Sequence, residues 1–235
     1  MKGKDLLLLT VKISLAIQVI CGLIGFSGIF IPLQKKDLIL RDILIIDTIV
    51  QAIEATWYVY IALAMKHIKE ETIASRRYSD WVLTTPIMLL ATVLFMEYDN
   101  IQDENIENEN KNTSITTKKV ISDNKNQLLR IGIYNYGMLL FGYLGEINIL
   151  NKFISIPIGT IFFILSFKEI WVNYAKSEKS KKLFYFLAVV WGMYGVGAMQ
   201  RVIPKNIMYN CLDIVSKNFY GLYIFYEIFK IRKKN

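Results

Sequence analysis

The chain of 235 residues is 54% hydrophobic and 20% charged, with a formal net charge of +8 and a mean hydropathy of +0.34. That apolar content is high for a water-soluble domain, so membrane spans are the first reading. The positive charge is divided among short connections with no aromatic-interleaved groove beside it, which excludes a nucleic-acid patch, and the two cysteines have no metal spacing, which excludes a zinc site.

Seven apolar segments follow one another at residues 6–31, 41–65, 74–97, 128–148, 153–174, 180–201 and 206–230. Each is near or above the ~20 residues a helix needs to cross the hydrocarbon. The first is too long for the hydrophobic region of a signal peptide and lacks a small-residue cleavage site, so it is read as retained. The pattern predicts an all-α, seven-transmembrane-helix bundle forming one domain over residues 1–235.

In the first segment Ser14 and Gln18 stand at i and i+4 on one helix face, and in the second Asp47 and Glu54 stand at i and i+7. Facing lipid, these groups are costly. Facing one another, they make a polar seam that admits water and cations. Lys12, in the outer half of the first segment, either snorkels outward or borders that seam. Cys21 and Cys211 both fall within spans and are expected to be packing residues. His67 lies near a connection and is expected to meet solvent or headgroups.

The third segment contains RRYSDWVLTTPIMLL, residues 76–90. Arg77, Asp80 and Thr84 share one face, so they are expected to form a hydrogen-bonded chain that stabilises a buried cation and then accepts its proton. The plainer alternative is a kinked packing helix with a structural Arg77–Asp80 salt bridge. Pro86 removes one backbone hydrogen bond, tolerable where Thr84, Thr85 or water meets the freed groups. Residues 98–127, rich in Asn, Glu, Asp and Lys, are expected to be a mobile cytoplasmic loop. Its Asn112-Thr113-Ser114 matches a glycosylation acceptor but falls on the cytoplasmic side, where the match is accidental.

The last segment carries Lys217 deep in an apolar run, with Asp213 one helical turn before it. An intramembrane lysine points to function, and a buried amine that sheds its proton is a nucleophile toward carbonyl compounds, as a Schiff base requires. A structural ion pair or a snorkelling lysine is the alternative. One set of helix ends, from Lys35 and Lys36 to Arg232 and Lys233, carries nearly twice the Lys and Arg of the opposite set, from Lys4 to Lys205. This places the N-terminus outside and the C-terminus in the cytoplasm.

The strings RYSDWVLTTP and LDIVSK resemble the third and seventh helices of microbial (type 1) rhodopsins, the seven-helix retinal proteins that include bacteriorhodopsin. The likeness extends through most of the chain. It implies that all-trans retinal is joined to Lys217 as a protonated Schiff base, with Asp80 and Asp213 as counterions. Arg77, Thr84 and Tyr58, the last within AIEATWY, belong to the counterion network. The implied retinal pocket comprises Trp81, Thr85, Met88, Asn135, Met138, Gly142, Gly159, Phe163, Trp191, Tyr194 and Gly195.

The sequence departs from the outward proton pump of that family. Ala91 stands where the cytoplasmic proton donor belongs, eleven residues after the counterion, and Ile203 and Lys205 replace the two glutamates of the release group. The usual proline of the sixth helix is Gly195. Ser14, Gln18, Glu54 and the SKN that ends in Asn218 look like the first group of giant-virus rhodopsins, whose members are light-gated cation channels. The implied function is a light-gated cation channel whose pathway uses Ser14, Gln18, Asp47, Glu54 and Asn218. Its implied ions are monovalent cations and protons, with calcium as a further candidate. A weak outward proton pump using Asp47 or Glu54 as donor, and a sensory rhodopsin, are the alternatives; an enzyme is not expected. The implied setting is a lipid bilayer, a host cell membrane if the chain is viral, with homo-oligomers compatible. Glu54→Gln is expected to alter conductance while preserving colour.

Overall fold

Long apolar runs interrupted by short polar ones become helices because only a helix satisfies every backbone polar group within its own segment in lipid. In the computed structural model, residues 3–65, 67–107 and 114–234 are described, without the side chains of residues 107 and 234. Among them the chain forms α1 (Gly3–Gly28), α2 (Leu38–Ala64), α3 (Glu71–Glu107), the short α4 (Thr117–Asp123), α5 (Lys125–Glu146), α6 (Lys152–Tyr174), α7 (Glu178–Ala198), α8 (Val202–Asp213) and α9 (Phe219–Lys234). A π turn over Ile214–Asn218 joins α8 to α9, so these three pieces form one rod, the seventh span. Several starts are capped by the side chains the sequence places there. Thr116 accepts from the amide of Lys119, Asn151 from that of Phe153, and Ser177 from that of Ser180.

Helices adjacent in sequence pack side by side, most closely α5 with α6 and α1 with α2, and α1 closes the ring against the α8–α9 rod. Small residues bring α5 and α6 together. A Cβ on Gly137 would lie 2.6 Å from the Phe162 ring, and the helix surface at Gly159 sits against the backbone oxygen of Met138. Residues Gly3–Gly28, Glu71–Ile106 and Lys152–Tyr174 are long and apolar enough to cross a membrane by length and composition. Of these, α3 is the enclosed central helix, while α1 and α6 are peripheral. Large apolar side chains such as Leu23, Leu63, Phe153, Val172 and Val189 point outward. Water does not tolerate such a belt, whereas lipid does. Lys12 lies on the exposed face of α1, away from the bundle interior, and His67 is exposed as expected. Cys21 is buried, but Cys211 is exposed and so is not a packing residue.

The expected loop at 98–127 is largely helical. The third helix continues to Glu107, and α4 and the start of α5 fill Thr117–Asp123 and the residues after it. The polar residues that read as a loop are partnered. The Tyr98 hydroxyl donates to Asp37 at 2.7 Å, and the Asn100 amide donates to the Tyr174 carbonyl at 2.8 Å. Asp99 accepts from Ser177 and Ser180 and pairs with Lys179, which also bridges to Glu227 at 2.8 Å. This clasp ties α3, α7 and α9 at the end of the bundle opposite Arg77. Asn112 and Thr113 of the acceptor motif lie outside the described residues.

Candidate functional site: a buried lysine in an acidic nest beside an aromatic cavity

Lys217 sits in the π turn, and its side chain is 2% exposed. A π turn inserts an extra residue into a helix and is frequent at functional sites. The ammonium donates to Glu54 Oε1 at 2.8 Å and Asp80 Oδ2 at 3.1 Å, and Asp213 Oδ1 lies 3.9 Å away. The partner one turn upstream is therefore the most distant of three carboxylates. Glu54, assigned from the sequence to the ion pathway, is the nearest. A carboxylate at 2.8 Å cannot lose its charge without changing the field at that nitrogen. Glu54→Gln is therefore expected to shift colour, where the sequence reading expects colour to be preserved.

Arg77 is fully enclosed and does not form the expected chain with Asp80 and Thr84. Its Nη1 pairs with Asp213 Oδ2 at 2.7 Å and donates to the Tyr58 hydroxyl at 3.2 Å, and its Nη2 donates to the Asn210 side-chain oxygen. Its guanidinium lies 4.6 Å from the Trp57 ring centroid, a cation–π contact in a desolvated setting. The Thr84 hydroxyl turns back to the Asp80 carbonyl at 3.1 Å. Same-face spacing on α3 brought the three residues near one another, but the one opposite charge of Asp213 on the seventh span captured the arginine. Asp213 is held further by Tyr58 and Tyr194, each donating at 2.7 Å.

Beside the nest lies a cavity of ≈ 200 Å³ with Lys217 on its wall. Trp81, Thr85, Met88, Met138, Gly142, Gly159, Phe163, Trp191, Tyr194 and Gly195 all line it. Asn135 does not, and this is a correction: it stands behind the wall, donating to Thr85 Oγ1 at 2.8 Å, while Thr85 donates to the Trp81 carbonyl at 2.8 Å. Trp81 meets Tyr194 and Tyr209 edge-on, and those two rings stack on each other. A Cβ built on Gly192 or Gly195 meets nothing within 4 Å, so these glycines leave room along α7. An apolar aromatic slot with one amine on its wall fits a polyene aldehyde: the rings supply stiff contact area, and the acids neutralise a cationic nitrogen.

Of the remaining residues, Ser14 is buried and donates to the Asn210 carbonyl at 3.0 Å. Gln18 and Asn218 are buried with their side-chain amides unpartnered among the described residues. Asp47 accepts from the Gln51 amide at 3.2 Å. Sequence reasoning missed Asn206, Asn210, Trp57 and Gln51. Asn206 and Asn210 continue the stripe of Asp213 and Lys217 at helical spacing, a signal that could have found them. Lys205, in place of a release-group acid, is buried and paired with Glu146.

The profile of the bacteriorhodopsin-like protein family matches residues 9–231. The chain belongs to that family, whose members are integral membrane proteins that bind retinal through a Schiff base to a lysine. Among solved structures, viral rhodopsin OLPVRII shares 29% identity with a TM-score of 0.83, over 97% of this chain and 99% of that one. Xanthorhodopsin, described as a light-driven ion pump with dual chromophore, shares the fold at 15% identity and a TM-score of 0.74, over 99% of this chain and 96% of that one. A green-light absorbing proteorhodopsin from Gamma-proteobacterium EBAC31A08 is 24% identical over 166 residues, 63% of this chain. The match spans 58% of that relative's length.

Proposed function

We propose that this chain is a light-gated cation channel in which Lys217 carries the retinal. Bound there, retinal supplies light absorption and a change of shape and charge at the lysine nitrogen. The chain supplies the rest. Asp80, Glu54 and Asp213 offset the nitrogen's charge, and Asp80, within 3.1 Å, is the proton acceptor we assign. Arg77, Tyr58 and Tyr194 fix Asp213 so that it cannot follow the lysine.

One observation carries the channel reading. Between α1, α2 and the seventh span runs a seam of buried polar side chains, Ser14, Gln18, Gln51, Glu54 and Asn218, with several atoms unpartnered among the described residues. Buried polar groups without partners are expensive, and a seam that wets when the lysine region moves relieves that cost. Its carboxylate, Glu54, favours cations over anions. The buried methyl of Ala91 stands where a pump's donor belongs and cannot return a proton. Patch-clamp of retinal-supplied cells under light, with sodium, potassium and proton gradients varied, tests this. A current whose reversal potential ignores all three gradients rejects it.

A second reading, a weak outward proton pump, draws on Asp47, a buried carboxylate beyond Lys217 that accepts from Gln51. Light-driven acidification of an unbuffered suspension, abolished by protonophore, favours the pump. In either case the excess of Lys and Arg supports an external N-terminus and cytoplasmic C-terminus.

A further inference from the structure

The polar seam does not run the length of the bundle. Toward the end away from Arg77 it reaches Asp47, against which α9 packs through Gly221, where a Cβ would lie 2.1 Å from Asp47 Oδ2. The next buried side chains of α2 are Leu44, Ile43, Leu40 and Ile39, and α9 faces them with Ile224 and Ile228. Leu94 and Phe95 of α3 complete the layer, and every one of these side chains is 1% exposed or less. Tyr223 of α9 sets its ring edge-on to Phe95, with centroids 5.4 Å apart. From Asp47 back to Ile39 the layer is about two helical turns thick. An apolar constriction of that kind excludes ions until it wets.

One side chain holds the two sides of this layer together from its rim. Lys179, at the start of α7, reaches Glu227 of α9 at 2.8 Å and Asp99 of α3 at 3.5 Å, and its Nζ lies 5.9 Å from the centre of the Phe95 ring. The ammonium therefore joins α3 to α9, the two elements whose rings meet in the layer. Asp99 and Glu227 are both buried, whereas the Lys179 side chain is half exposed and reaches them from the edge. Without it, two buried carboxylates on different elements face each other uncompensated, so the lysine turns a repulsion into a tie. Glu227 directly precedes Ile228 and stands one turn after Ile224. It cannot part from Lys179 by a movement of α9 that leaves those two side chains in place.

We propose that Lys179 is the latch of an inner gate: its bridges to Asp99 and Glu227 hold α9 against α3, keep the apolar layer dry before illumination, and set how fast it seals again afterwards. This rests on the channel reading for what the gate passes. The state of the latch is measured without current.

The test uses the full retinal-loaded chain in nanodiscs, with Ile228→Cys as a reporter inside the layer and the unaltered chain as control for Cys21 and Cys211. Leu40→Cys, on the α2 side of the same layer, gives the reading if the first reporter loses its visible band. A water-soluble maleimide is applied in the dark and under continuous light. The reporter is expected to be protected in the dark and to react in the light. Adding Lys179→Met or Glu227→Gln is expected to raise the dark labelling rate about threefold, within what a half-exposed ion pair supplies. Leu7→Cys, buried among Trp57, Ile73 and Ile203 at the opposite end, is expected to stay protected in every background. Equal labelling of the reporter in light and dark overturns the proposal. So does labelling that neither Lys179→Met nor Glu227→Gln changes, and so does an equal rise at Leu7→Cys, which would mean general loosening. Light-evoked currents separate the two readings. Passive current with labelling indifferent to light keeps the channel and rejects the latch; labelling governed by light and by Lys179 without passive current does the reverse.

Discussion

Lys217 is held by acids from three different elements, and that convergence decides what its neighbours do when changed. Lys217→Ala removes the amine on the cavity wall, and the retinal-supplied protein is expected to show no visible band. A persisting visible band would place the attachment elsewhere. Asp80→Asn is expected to move absorption to the red, because a positive nitrogen 3.1 Å from the lost charge is less stabilised in the ground state. Glu54→Gln is expected to shift colour as well as current, and spectra of the two variants side by side check this. The acids and the lysine were legible one helix at a time, since a charge inside an apolar run stands out. That Glu54 rather than Asp213 comes nearest was not legible, because spacing along one helix says nothing about reach across to another.

At the scale of helices, the α5–α6 pair depends on missing side chains. A Cβ on Gly145 would lie 2.0 Å from Ser155 Oγ and 2.9 Å from its Cβ. Gly145→Ala therefore forces the helices apart and is expected to cost ~1–3 kcal/mol, the range for overpacking a filled interior. Thermal loss of the visible band measures it, and an unchanged midpoint would contradict the close approach. Helix existence and order were plain from the apolar runs. The length of α3 was not: Tyr98, Asp99 and Asn100 look like loop residues until Asp37, Tyr174, Ser177 and Lys179 supply their partners. Those partners sit on other helices, beyond the reach of local composition. The Lys179 bridge is half exposed, so Lys179→Met is expected to cost about 1 kcal/mol or less in the same thermal assay.

For the whole molecule, the asymmetry of Lys and Arg predicts how the bundle sits in the bilayer. Lys152 and Lys181 lie at opposite ends and are partly exposed. In intact cells, Lys152→Cys is expected to react with a membrane-impermeant thiol reagent, and Lys181→Cys only after permeabilisation, with the parent chain as control for Cys21 and Cys211. The reverse pattern would invert the orientation.

The seventh span has a mechanical peculiarity with a consequence of its own. Its first half, α8, is pinned through Asn206, Asn210 and Asp213 to a buried arginine, while the loosened turn that follows carries the lysine. A widened turn has slack that a regular helix lacks. Displacement of the lysine therefore passes forward into α9, with its Gly221 and Glu227, and is absorbed before it reaches the anchored half. The rod behaves as a fixed post with a hinged arm, and the arm is the part that borders Asp47 and the Lys179 clasp.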